Sequence, residues 1–535
     1  MKFRGFPLIL LGCLLAAAPL AGAQLVSLNA SGTAAGNAGS FNASLSANGR
    51  FVAFESQATD LVPGGTSGEN VFVRDLLTGI TVLASVNEPP YVGGAEFPHL
   101  SADGRYVAYQ RSTCTSSPFC PTNDVFVRDL QTATTTLVSV AQDGGPGGGF
   151  HPVISADGRH VAFTSGGGNL VPGDANGTSD VFVRDLDAGT TRLASVNAAG
   201  TGSGNGPSRN PALSADGRFV AFESDAGDLA AGDGNGTTDV FFRDLQSGPT
   251  LLVSVNAAGT GSGNGISTVP TISADGSRVA FGSGASDLVP ADTNGSPDVF
   301  VRDLPAGPTR LVSIDAAGTD SGNSTSGRPY LTPSGRFVAF ESDANDLAAG
   351  DDNSSQDVFL RDVDAGVTRL VSVNASGTSS AGGYSELFLA LDTLAGFQVA
   401  SDDGRFVVFG SAAQDLVSGV SYPCDVSPCF QVYRRDLQAG TTSLLSATPA
   451  GDAAGNRGDS GFSTGGQISA DGRVAIFQST ASNLSTQPDT NNANDIFSVG
   501  APQAPAMPVV PALSEAGLAL LALLMAGLGL RAIRK

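Results

Sequence analysis

Three short phrases return along this chain in a fixed order, and that repetition limits the fold more than any other feature. The first is a turn, Ser155-Ala156-Asp157-Gly158-Arg159, with counterparts starting at Ser46, Ser101, Ser214, Ser273, Thr332, Ser401 and Ser469. The second is Asp180-Val181-Phe182-Val183-Arg184-Asp185-Leu186, which recurs in the other units and survives in shortened form from Asp495. The third is Leu-Val-Ser-Val-Asn, clearest at 252–256 and 370–374. From Ser155 to Thr332 the turns are 59 residues apart. A fixed period over most of 535 residues marks one repeat array rather than several domains.

Each unit offers four short strands. In the third they fall at about 152–155 (a), 159–165 (b), 180–185 (c) and 191–197 (d). Strand b is apolar at consecutive central positions, so both its faces are expected to be buried between neighbouring sheets. Ala-Asp-Gly between a and b is a tight hairpin turn. Four-stranded units at this period predict an all-β, closed β-propeller.

The ends define how the array closes. The last unit stops after strand c, whereas Gln24-Leu25-Val26-Ser27-Leu28-Asn29 is a d strand with no blade before it. The N-terminal strand is therefore expected to complete the last blade and seal the ring, which removes the open sheet edges. Strand counting gives eight blades, or seven if the irregular unit around 385–446 lies differently. The Ser-Ala-Asp-Gly-Arg turn, the Phe-Val-Ala-Phe strand and the Asp-Val-Phe-Val-Arg-Asp strand resemble TolB-like propeller repeats, relatives of the WD-repeat family. The resemblance spans 24–500 and implies a fold; propellers carry unrelated activities.

Alternating strand direction puts a–b and c–d turns on one face and the longer b–c and d–a connections, such as 166–179 and 198–210, on the other. Long loops on a rigid ring are where binding resides, although Gly-Ser-Thr-Asn composition also suits plain connectors. The b–c loops hold the sharpest pattern. Asp174, Asn176 and Asp180 recur as Asp233, Asn235 and Asp239 and as Asp292, Asn294 and Asp298, each set with Gly after the Asn. Asp351, Asn353 and Asp357 form a variant with Ser354 in place of the Gly; Asp489, Asn491 and Asp495 form another, with Asn492 there. Oxygen side chains around a sharp turn suit Ca2+. The pattern is similar to the calcium loops of integrin-type propellers, but Pro172 stands where their first acidic ligand would be. An Asx or Asn-Gly turn without metal is the alternative.

Two units lacking this loop carry cysteines just before strand c: Cys114 and Cys120 in one, Cys424 and Cys429 in the other. An even count in an oxidising compartment favours two disulfides, and the close spacings favour local pairing. Each b–c loop is thus read as having its own brace, oxygen-rich or disulfide.

Export is expected from the N-terminus. Lys2 and Arg4 precede an apolar run and an Ala21-Gly22-Ala23 cleavage site, which makes 1–23 a signal peptide. At the other end, 501–511 is a Pro/Ala linker and 512–535 a hydrophobic segment closed by Arg531, Arg534 and Lys535. The stretch from Val510 resembles the bacterial sorting signal Ile-Pro-Thr-Leu-Ser-Glu-Trp-Gly, matching it at Pro511, Leu513, Ser514, Glu515 and Gly517. That resemblance implies transient membrane retention and removal of the tail during surface sorting; a plain membrane anchor is the alternative.

Nothing in the sequence reads as an active site. The chain has only three histidines, His99, His151 and His160, without metal-ligand spacing. The strand-c Arg-Asp pairs (Arg74 with Asp75, Arg184 with Asp185) recur in nearly every unit and are expected to form blade-to-blade salt bridges. A net charge of −22 disfavours nucleic acid. The expected protein is a monomeric, non-enzymatic binding scaffold, in the periplasm or on the cell surface, for a protein or glycan. The alternatives are a propeller enzyme such as a glycan lyase or hydrolase, and a purely structural envelope protein.

Overall fold

A computed structural model describes residues 22–85, 93–112, 123–387, 397–423, 430–456 and 463–502. The signal peptide but for its last two residues, and the tail from 503, lie outside the described residues. So do all four cysteines expected to pair, Cys114, Cys120, Cys424 and Cys429. Neither expected bridge, Cys114 to Cys120 or Cys424 to Cys429, is therefore shown by the structure.

Among the described residues all regular structure is β, in eight four-stranded antiparallel sheets. Blade 3 comprises Phe150–Ile154, His160–Ser165, Asp180–Asp185 and Thr190–Leu193 in the spatial order a-b-c-d. The irregular unit forms a regular seventh blade from Ser385–Glu386, Phe406–Ser411, Gln431–Asp436 and Thr441–Leu444. Eight blades are therefore present, not seven.

Strand d is shorter than expected because a side chain takes over its ladder. Beyond Leu193, the Val181 N–H donates to Ser195 Oγ at 3.1 Å, and that hydroxyl donates to Asp180 Oδ1 at 2.6 Å. The Ser of Leu-Val-Ser-Val-Asn thus locks strand d to the Asp that opens strand c. The same lock closes the ring. Gln24 and Leu25 pair with Ser498 and Phe497, Ser27 Oγ donates to Asp495 Oδ1, and the Ile496 N–H donates to Ser27 Oγ at 3.0 Å. The first strand occupies the d position of blade 8 down to its side-chain hydrogen bonds.

The core is a set of layers between adjacent blades. Ala162, Val181 and Val183 of blade 3, for example, pack on Val220, Phe222 and Phe241 of blade 4. Burying both faces of strand b requires apolar residues in succession. In blade 3 the Phe163 and Phe182 rings stack at 5.8 Å, an arrangement that most blades repeat.

The Arg-Asp motif departs from expectation. Asp185 pairs with Arg159 of its own a–b turn at 3.3 Å, and Asp75 with Arg50 at 2.6 Å. The strand-c Arg instead donates to a strand-d threonine, as Arg184 does to Thr191 at 2.9 Å. The repeated ion pair braces blades 1 to 7 internally, and Arg278 alone among these arginines also reaches the next blade, at Asp364, 2.7 Å away. Neighbouring blades are joined at this face by another device: the turn glycine presses on the first side chain of the preceding strand b. A Cβ on Gly104 would meet the Phe51 ring at 2.2 Å, and one on Gly217 would meet His160 at 2.4 Å. His160 is the blade-3 member of that row of aromatic residues.

Candidate functional site

The two ends of the channel differ in chemistry. Strands a are innermost, since each blade's strand a neighbours the next, and their last residues line a cavity of about 180 Å³ at the a–b turn end. Leu45, Leu100, Ile154, Leu213, Ile272 and Leu331 make that end apolar. His99 lies there too, its Nδ1 accepting the Ile154 N–H at 3.3 Å.

At the long-loop end each of six strands a is bulged. One residue per strand, Asn42, Phe97, His151, Asn210, Val269 or Arg328, adopts a positive φ between 47° and 55°. The bulge frees a backbone N–H toward the preceding blade, where strand b supplies an acceptor. Glu223 Oε1 accepts from Val269 at 2.7 Å, Glu341 Oε1 from Leu387 at 2.6 Å and Gln110 Oε1 from His151 at 3.0 Å, while Glu55 accepts from Phe97.

What surrounds these acceptors changes around the ring. In blade 4, Arg209 Nε lies 3.2 Å from Glu223, and the same guanidinium reaches Asp225 at 3.2 Å. At blades 6 and 7, Arg328 lies 3.8 Å from Glu341, whose other oxygen accepts from Gln356 at 3.0 Å. Gln356 also donates to the Tyr384 hydroxyl at 3.1 Å, and Tyr384 donates to Glu386 at 2.9 Å. Blade 1 has Asn42 beside Glu55 at 2.9 Å, and the nearby charges are Glu69 and Glu96. Burial chiefly, with a contribution from those two carboxylates, pushes Glu55 up to about 8. Burial also pushes Glu341 up to about 8. Next to this acidic corner, His151 meets the Phe97 and Phe150 rings edge-on at 5.1 and 5.2 Å, and burial lowers its pKa.

These mouth residues were not singled out by sequence reasoning. A signal existed: Glu55, Glu223 and Glu341 each put a charge inside an otherwise apolar Phe-x-Ala-Phe-Glu-Ser strand. Of the histidines, His99 lines the channel cavity and His151 sits on the bulge of its strand a. Among the described residues no group of three or more His, Cys, Asp or Glu side chains is arranged to hold a metal.

The b–c loops are brought together with the d–a loop that leaves the same blade. Asn176 Nδ2 donates to Asp180 Oδ2 and to the Gly204 carbonyl, both at 2.8 Å, while its Oδ1 accepts the Thr178 N–H at 2.9 Å. Asn235, Asn294 and Asn491 repeat all three bonds on Asp239, Asp298 and Asp495. Asn353 likewise bonds the Ala381 carbonyl. The Asn is a strut between loops: its oxygen accepts a backbone N–H and its nitrogen faces the Asp. The position after it is left-handed, with φ of 69° at Gly177, 55° at Ser354 and 52° at Asn492, so the turn survives where Gly is absent. Described d–a loops are also tied forward, as Ala198 donates to the Asp228 carbonyl at 2.8 Å and Asn205 to Asp228 Oδ1 at 2.9 Å. Among the described residues the long loops form an interlocked belt.

The IPTL-CTERM motif matches residues 510–535. Together with eight propeller blades, it makes the chain an exported β-propeller with a C-terminal sorting signal. No curated protein sequence matches the chain. Solved structures similar to it include TolB from Acinetobacter baumannii, at 17% identity and a TM-score of 0.30 over 56% of this chain and 58% of that one. A prolyl endopeptidase shares 12% identity at a TM-score of 0.46, over 85% of this chain and 55% of its own. An oligogalacturonate lyase from Vibrio parahaemolyticus shares 11% at 0.41, over 81% and 96%. The chain thus spans little more than half of the first two, and no residue role transfers at these identities.

Proposed function

We propose that this exported propeller is a non-enzymatic, monomeric binding scaffold, in the periplasm or on the cell surface, that holds a glycan or protein over the long-loop mouth of its channel. The sorting signal would retain it at the membrane before surface delivery. One observation carries the reading: around this mouth the side chains stop repeating. A blade-to-blade repeat serves architecture, whereas a unique set of residues offers an asymmetric surface to one ligand. The partly exposed Tyr384 ring flanked by Gln356, Glu386 and Arg328 combines an apolar face with convergent polar groups, a composition suited to a polyhydroxylated ligand. Both Glu341 oxygens hold structural partners, a Leu387 N–H and the Gln356 amide, which supports a positioning role for this carboxyl.

A glycan-array and pull-down screen with the purified mature protein tests the reading. The expected outcome is a bound partner lost at least tenfold in the Y384A/E386Q double variant. Unchanged binding by that variant would remove the mouth as the site, and release of cleaved product would replace the scaffold by an enzyme.

A further inference from the structure

Blades 3 to 6 each bring two aspartates together where the b–c loop meets the d–a loop leaving the blade. The pairs are Asp174 with Asp180, Asp233 with Asp239, Asp292 with Asp298, and Asp351 with Asp357, each near enough for the first to act on the charge of the second. The second aspartate is fully buried in all four, and Ser195, Ser254, Ser313 and Ser372 occupy one of its oxygens. Several remaining oxygens are unpartnered. Asp292 is only 5% exposed and neither of its carboxylate oxygens has a hydrogen-bond partner. Asp357 Oδ2 and Asp174 Oδ2 are in the same condition. Two like charges with unmade hydrogen bonds in one dry place are costly unless a positive charge joins them.

A second observation comes from the neighbouring loop. The hydroxyls of Ser203, Ser262, Ser321 and Ser380 each accept the backbone N–H of the residue after the first aspartate of their pair, at 3.1 to 3.4 Å, and each serine sits across the loop from Val196, Val255, Ile314 or Val373. The loops leaving blades 2 and 7, which lack the aspartate pair, place Pro146 and Ala454 there. Blade 8 has the pair but faces Ala35. Within blades 2 to 7, serine thus accompanies the aspartates and is missing without them.

We propose that these four junctions are calcium sites, each built from both aspartates of one blade and the serine hydroxyl of the outgoing loop, with water completing the shell. An oxygen-only set matches a hard cation. The Asn strut belongs to the scaffold that presents the carboxylates, not to the ligands. With two carboxylates per site, affinity falls at the weak end of calcium proteins, Kd ~10⁻⁴ to 10⁻³ M. An occupied site fastens a b–c loop to the outgoing d–a loop, and so to the following blade.

Equilibrium dialysis of the mature protein against millimolar radiolabelled calcium, with magnesium as competitor, measures this directly. The expected result is about four calcium ions per chain, resistant to equimolar magnesium, with a Tm at least ~2 °C above that in chelator. D292N is expected to bind about one ion fewer; S321A, which leaves the carboxylates in place, weakens one site severalfold and stands in if D292N fails to fold. Fewer than about one calcium per chain overturns the proposal, as does a stoichiometry indifferent to both variants. Ligand binding at the channel mouth is scored separately, so either reading can fail alone.

Discussion

The two faces of the ring are built on opposite rules. On the short-turn face most blades repeat the same contacts: an arginine at the a–b turn on the strand-c aspartate, and a turn glycine against the first strand-b side chain of the preceding blade, usually an aromatic ring. On the long-loop face the bulge and its acceptor recur, but the charge around them varies. Arg209 neutralises Glu223 and Arg328 approaches Glu341, whereas Glu55 has carboxylates for neighbours. Repetition makes the first face a uniform clamp. Variation makes the second a surface with a distinguishable front and back, as the proposed binding role requires.

The largest expected effect lies on the clamp. Gly104 has φ +75° and no room for a Cβ beside Phe51. G104A combines a left-handed penalty with overpacking, each worth about 1–2 kcal/mol, so a loss of about 3 kcal/mol is expected in denaturant unfolding. A loss below about 1 kcal/mol would mean that the turns ride loosely on the blades and the clamp description is wrong.

The next effect tests the uncompensated carboxyl at the mouth. Glu55 titrates near 8 in the fold and near the usual 4.5 when unfolded. Between those values the folded chain holds a proton that the unfolded chain has released. Stability is thus fully present below about pH 4.5, declines as pH rises, and is lost by about pH 8. E55Q mimics the protonated carboxyl, so its stability should match the parent near pH 5 and exceed it at pH 8.5 by ~2 kcal/mol. E223Q should gain less, because it leaves Arg209 without one of its two carboxylates. Equal pH profiles for the two variants would erase the distinction between the acidic corner and the neutralised one.

The sequence made the ring legible through its strict features. Period, turn chemistry and the orphan strand at Gln24–Leu25 gave the blade count and the closure, because each is a backbone demand that few residues satisfy. Partners were less legible. Arg74 and Asp75 are adjacent in sequence, yet alternation sends their side chains to opposite sides of the strand, so the aspartate finds Arg50 and the arginine finds Thr81. The strut role of the asparagines was not legible because an amide has both an oxygen and a nitrogen, and only the neighbouring carbonyl and N–H decide which faces the aspartate. The mouth cluster escaped because it draws single residues from strands a and b of different blades and has no spacing of its own.

The smallest effect concerns the bulge itself. Val269 holds φ +55°, a conformation that a β-branched residue adopts only under strain, while blades 1 and 4 place Asn42 and Asn210 at the same point. V269N should therefore relieve strain without disturbing the backbone bond to Glu223, raising stability by about 0.5–1 kcal/mol in thermal unfolding. A valine kept there against this cost is being held for its side chain, which belongs to the variable rim and not to the repeated frame. If V269N instead destabilises the ring, the valine is a packing residue, and the boundary between repeated frame and variable rim lies further out toward the loops.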